Sequence, residues 1–196
     1  IRMSEDGDWL AISLFDDQTQ TRYVQLDSLS STDEPVRFQG NAINAMAFDA
    51  SSSFLAYNHN NEIRIVDLKR MQIVQALVGH TSSVECFEFI QDGSFLVSGS
   101  GDRTLRKWSL DSGAEVWSVM AHRNSVRDVA VSPGGTTIAT VGADNSVRLW
   151  QGQLGRLLCE IQASQPDVWK AEFVHGGQQL ALQYGRSAIG LLDGAP

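Results

Sequence analysis

The feature that most constrains this chain is a recurrence. Residues 79–108 read GHTSSVECFEFIQDGSFLVSGSGDRTLRKW, and the same order of features returns 42 residues later. His122, Val126, Val131, Gly135, Asp144 and Trp150 stand where His80, Val84, Phe89, Gly93, Asp102 and Trp108 stand. A fixed period of this length belongs to repeat architectures, in which one supersecondary unit cannot bury its own apolar surface and must lean on its copies.

The period divides the chain into units at about 1–40, 41–79, 80–121, 122–163 and 164–196. In the first, Ile1 and Met3 end a strand, Asp6 and Gly7 make the turn, and strands are expected at 9–14, 23–26 and 36–38. The second is a weaker copy. Ile43, Met46 and Phe48 form its first strand, with Asn60 and Val66 in the places of the Asp and the Trp. The third and fourth are strong copies, each with a turn such as Asp92–Gly93 between its first two strands. In the fifth, Val168, Phe173, Gly177, Leu180 and Leu192 keep the apolar positions, while Ser164 replaces the His and Arg186 the Asp.

Every unit holds short runs rich in β-branched and aromatic residues, separated by Gly, Asp, Asn and Ser. No stretch sustains a 3.6-residue apolar period. The fold class is therefore all-β, built from four-stranded antiparallel sheets. Such a sheet, apolar on both faces, is not stable alone. Radial stacking hides the faces and leaves short, protected edges, which is a β-propeller. About five blades are present, the last without its outer strand. We expect them to be part of a larger propeller, with a five-blade ring as the alternative.

Composition narrows the partners. With 42% hydrophobic residues the chain can fill a core, and a net charge of -8 gives no basic field to hold a phosphate backbone. Nucleic acid is not expected. No window approaches the apolar length of a membrane span, so no membrane partner is expected. Cys86 and Cys159 lie in different units, outside any metal-ligand spacing, and read as buried, reduced thiols in a cytoplasmic or nuclear protein.

Gly79-His80, Asp102 and Trp108, with Gly135, Asp144 and Trp150, resemble the WD-repeat β-propeller family in spacing as well as identity. Departures exist: the fourth unit begins Ala121-His122, and the closing pairs are Trp108-Ser109 and Trp150-Gln151 rather than Trp-Asp. The resemblance implies a buried hydrogen-bond chain in which the imidazole bridges a hydroxyl of the second strand and the carboxylate, and the hydroxyl receives the indole N–H. Its members would be His80, Ser98, Asp102 and Trp108, and again His122, Thr140, Asp144 and Trp150.

Those Ser/His/Asp sets also invite a hydrolase reading. Recurrence at a structural period argues against it, because one site per domain suffices for catalysis. No catalytic residue is assigned. Gly99-Ser100-Gly101 lacks the rest of a dinucleotide loop, and His59, His80, His122 and His175 fall one to a unit, so no cofactor and no metal is implied. Asp16-Asp17 and Asp33-Glu34 read as solvated turns.

By the same resemblance, the upper face around the channel is formed by Asn44 and His59, Ser83 and Glu85, Ser125 and Arg127, and Asp167 and Trp169. Trp169 is either an exposed anchor for a partner or packed on its own strand. Glu85, Arg127 and Asp167 make the face mixed in sign, which suits protein or peptide partners. The expected function is a non-enzymatic scaffold that holds partner proteins through these loops, with a regulatory propeller attached to an enzyme domain as the alternative. Remaining blades, in the parent chain or a partner subunit, would complete the ring.

Overall fold

The structure, a computed structural model, describes all residues except 91–92, 163–166, 186–187 and 194–196. Asp92, Ser164 and Arg186 thus lie outside the described residues. The first sheet holds β1 (Arg2–Met3), β2 (Trp9–Asp16), β3 (Thr21–Ser28) and β4 (Val36–Gly40). The second holds β5 (Met46–Phe48), β6 (Phe54–His59), β7 (Glu62–Asp67) and β8 (Gln72–Val78). The third holds β9 (Val84–Ile90), β10 (Phe95–Ser100), β11 (Thr104–Ser109) and β12 (Glu115–Met120). The fourth holds β13 (Val126–Val131), β14 (Thr137–Gly142), β15 (Ser146–Gln151) and β16 (Arg156–Gln162). The fifth has three strands, β17 (Val168–Val174), β18 (Gln179–Tyr184) and β19 (Ala188–Asp193).

All pairings are antiparallel between strands adjacent in sequence, as short polar connections dictate. The turn that closes the first hairpin needs a left-handed residue. Gly93 and Gly135 supply it with φ of 86° and 72°, and Ser52 takes the corresponding place in the second sheet at 53°. A register shift recurs between Ile65 and Val66, Lys107 and Trp108, and Leu149 and Trp150. Such an irregularity re-aims the side chain beside it.

The core lies between sheets. Val24, Leu26, Leu55, Tyr57 and Val66 join the first sheet to the second, and Ile63, Leu77, Leu96 and Trp108 the second to the third. Cys86, Val97, Ile138 and Trp150 join the third to the fourth, and Val141, Leu149, Leu180 and Leu182 the fourth to the fifth. Each sheet is therefore stabilised by its neighbours, at roughly 1.5–3 kcal/mol for each large aliphatic or aromatic side chain buried.

The first strands stand side by side in the order β1, β5, β9, β13, β17, and residues of all five line one open cavity. Among the described residues no strand pairing joins the first sheet to the fifth, and the array is not closed. Among the described residues the helical content is one 3₁₀ turn, His175–Gly177, and no helix is long and apolar enough to cross a membrane.

Two local expectations need correction. Ile43 lies outside β5, although it is buried in the first core cluster. The cause is Asn58, fully buried, whose Oδ1 accepts the N–H groups of Asn44 at 2.8 Å and Ala45 at 2.9 Å. Its Nδ2 donates to the Ala42 carbonyl at 2.6 Å. A side chain satisfies this backbone, so no ladder forms. Cys159 is only half-buried, whereas Cys86 is buried; both thiols are free.

Candidate functional site

In the third sheet the His80 imidazole links the second strand to the turn. Nε2 lies 2.8 Å from Ser98 Oγ, and Nδ1 lies 2.9 Å from Asp102 Oδ2. Trp108 donates its indole N–H to the same Ser98 oxygen at 2.9 Å. Asp102 also accepts the Thr81 N–H at 3.0 Å, the Thr104 N–H at 2.9 Å and the Thr104 hydroxyl at 2.6 Å.

The fourth sheet repeats the set. His122 Nε2 lies 2.8 Å from Thr140 Oγ1 and Nδ1 lies 3.0 Å from Asp144 Oδ1, while Trp150 donates to Thr140 Oγ1 at 2.9 Å. Asp144 takes the Arg123 N–H at 2.8 Å and the Ser146 hydroxyl at 2.8 Å.

Electrostatics assigns the protons. Burial raises the Asp102 carboxyl, but the hydrogen bonds from Thr104, Thr81 and His80 outweigh it and hold the group at about 2. Asp144 is held at about 2 against burial by Arg123, Ser146 and His122. Burial lowers both imidazoles below their usual value, against the pull of the carboxylates. A neutral imidazole then donates from Nδ1 to the carboxylate and accepts at Nε2 from the hydroxyl, which in turn accepts the indole N–H. Every donor has an acceptor.

The order Asp, His, Ser is that of a hydrolytic triad, yet Ser98 and Thr140 are wholly buried and each oxygen already receives an indole N–H. No substrate carbon can reach either oxygen. What the arrangement does is tie the second and third strands to the loop that enters the sheet.

The upper-face residues fall into two groups. Across the seam between the second and third sheets, Asn44 Nδ2 donates to Ser83 Oγ at 3.3 Å and to Glu85 Oε2 at 3.2 Å. Across the seam between the fourth and fifth, the Arg127 guanidinium lies 4.0 Å from the centroid of the Trp169 ring. Arg127 also donates to the Val168 carbonyl at 3.2 Å and lies 3.8 Å from the Asp167 carboxylate. Trp169 is 49% exposed and therefore packs on a neighbouring sheet's Arg rather than sinking against its own strand.

Among the described residues no hydrogen bond or ion pair joins the two groups. Ser83, Ser125 and Asp167 each accept, through the carbonyl, the N–H of Gly101, Ala143 and Gly185 respectively, at 2.9, 2.8 and 2.8 Å. His59 is half-buried, and its Nδ1 has no hydrogen-bond partner among the described residues.

Sequence reasoning passed over the acids of the inner strands. Glu88 Oε2 accepts the Val131 N–H at 2.9 Å and Asp128 Oδ2 accepts the Ala171 N–H at 2.8 Å, each from the next sheet. Lys107 is buried, with Nζ 3.1 Å from the Gly152 carbonyl and 4.3 Å from the centroid of Phe95. The available signal was a charged residue inside an otherwise apolar run.

Comparison with known proteins agrees with this geometry. The family model "WD domain, G-beta repeat" matches residues 71–109 and 113–151. Human WD repeat and SOCS box-containing protein 1 is 38% identical over 94 residues, covering 47% of this chain and 22% of the relative. Human Striatin-4 is 38% identical over 86 residues, covering 42% and 11%. Protein tipD of Dictyostelium discoideum is 28% identical over 109 residues, covering 56% and 18%. The chain thus spans about a fifth or less of the length of these relatives. The recurring His, Asp and Trp, the sheets that bury one another, the two matched repeats and the relatives named as WD repeat proteins support a WD-repeat family.

Proposed function

We propose that the chain is a non-enzymatic scaffold segment that holds partner proteins through its upper face, with Arg127 and Trp169 as the anchor. One observation carries this reading: a large aromatic ring, half in solvent, is held in place by a cation from the adjacent sheet. Trp and Arg are the side chains most often found to dominate protein interfaces. Ordering the pair before a partner arrives lowers the entropic cost of binding. WD-repeat relatives support a protein-interaction role in general. Free thiols at Cys86 and Cys159 are compatible with a reducing compartment, and the reading takes the cytoplasm or nucleus as the setting.

The test is affinity capture by the full chain compared with the Arg127→Ala/Trp169→Ala double variant, with circular dichroism as the folding control. The variant should keep its fold and lose at least one captured protein. An unchanged set of captured proteins would remove the pair from the interface.

A further inference from the structure

The end of the array opposite the upper face, where the first strands finish, holds a cavity of about 560 Å³. Each first strand gives it one bulky apolar side chain at the corresponding position: Met3, Phe48, Phe89, Val131 and Phe173. Met3 is exposed; the other four are half-buried, each packed on one side against the core cluster of its seam while it lines the cavity, so together they form an apolar collar.

Within the collar stands Glu88, half-buried. Among the described residues its carboxylate receives one hydrogen bond, from the Val131 N–H to Oε2. Asp49, which also lines the cavity, is occupied by the N–H groups of Ser53 at 2.8 Å and Phe54 at 2.6 Å. Arg2 lies at the rim with Nε on the Met46 carbonyl at 3.1 Å, and Glu5 is exposed beside it. Asp128 and Glu172 add negative potential at Glu88, and Lys170 opposes them. The interior charge is net acidic.

We infer that this lower mouth is a second binding site, which takes an arginine or lysine side chain presented on a partner's peptide segment. The alkyl stem of such a side chain covers apolar surface while its head stays charged, which matches an apolar collar with a carboxylate inside it. Aromatic faces also attract the head. An apolar side chain would strip water from Glu88 and leave it unpaired, and an acidic one would be repelled. The cavity exceeds the volume of one side chain, so flanking backbone fits as well.

Burial pushes the Glu88 carboxyl up to about 7, with Asp128 and Glu172 adding to the rise. Binding a cation requires the ionised form. Affinity therefore rises with pH through that value.

The test uses the full chain and fluorescence anisotropy with a short labelled peptide of Gly, Ser and Ala bearing one central Arg, compared with Lys, Leu and Glu at that position. The Arg and Lys peptides should bind at least about tenfold tighter than the other two, and tighter at about pH 8 than at about pH 5.5. Glu88→Gln keeps an oxygen for the Val131 N–H and removes the charge; it should weaken Arg-peptide binding about tenfold. Phe173→Ala should weaken it too, while Arg127→Ala/Trp169→Ala should leave it unchanged. Equal binding of the Arg and Leu peptides, undiminished binding by Glu88→Gln, or no binding at millimolar peptide overturns the inference, and the peptide series on the unmodified chain decides even where a variant fails to fold.

Discussion

Arg127 and Trp169 belong to different sheets, yet the guanidinium sits 4.0 Å from the centroid of the indole ring. The contact bridges a seam at its solvent end, outside the core cluster that joins the same two sheets. Its energetic weight in the free chain should be small. Trp169→Ala is expected to change unfolding free energy by no more than about 1 kcal/mol, the usual scale of an exposed cation–π contact. Urea titration followed by circular dichroism checks this, and a loss of several times that size would make the residue part of the core.

The Ser98 hydroxyl is a junction, since it meets both His80 and Trp108. Ser98→Ala orphans a buried indole N–H and should cost about 1–3 kcal/mol. In a Trp108→Phe background, where no indole N–H remains, the same change should cost less, with a coupling of about 0.5–3 kcal/mol in a double-mutant cycle. Additive costs would show that the two groups do not share the hydroxyl.

Two sets of titrating groups act in opposite directions with pH. Asp102 and Asp144 are depressed to about 2, so their stabilisation is complete above about pH 4 and is lost as pH falls towards 2. The buried imidazoles of His80 and His122 are also depressed, so stability falls as pH drops below their usual value of 6.5. Glu88 is raised to about 7 and Asp128 to about 6, so their contribution is complete below their ordinary values of 4.5 and 3.8 and is lost as pH rises through 6 to 7. Glu88→Gln should therefore make the pH dependence of stability steeper in the rising sense between about pH 5 and 7, because Asp128 alone is then left to oppose the histidine contribution. Chemical denaturation at several pH values measures it; an unchanged slope would contradict the raised Glu88.

Gly142 is a site with no room for a side chain. A Cβ there would collide with His122 Nδ1 and Asp144 Oδ1, the two atoms that hold the fourth sheet's network together. Gly142→Ala should destabilise by about 1–3 kcal/mol through overpacking. Gly134→Ala meets no atom within 4 Å, and separates steric collision from loss of backbone freedom, since its φ is 85°. A melt in which Gly142→Ala is as stable as the unmodified chain would refute the tight packing around His122.

The repeat unit, the strand runs and the recurring His, Asp and Trp were legible because they follow a period along one chain, and a period needs no knowledge of neighbours. Pairings between sheets were not. Arg127 and Trp169 could be named singly as face residues, but their contact depends on how one sheet leans on the next. Glu88 and Asp128 escaped notice for the same cause: each finds its N–H partner, Val131 and Ala171, on the following sheet. Ile43 misled because Asn58, a polar residue in an apolar strand, satisfies the loop that would otherwise have continued β5. Only the sheet count per unit and the hydrogen-bonding side chains of the strong copies carried a signal within a single repeat.

The hairpin that joins β6 to β7 spans residues 60–61, whereas the one joining β10 to β11 spans 101–103, and both sheets pack alike. Since cohesion resides in the seams, hairpin tips can lengthen, shorten or change character without disturbing it. Evolution, or an engineer, is thereby free to revise what such a chain recognises one tip at a time while inheriting its architecture intact.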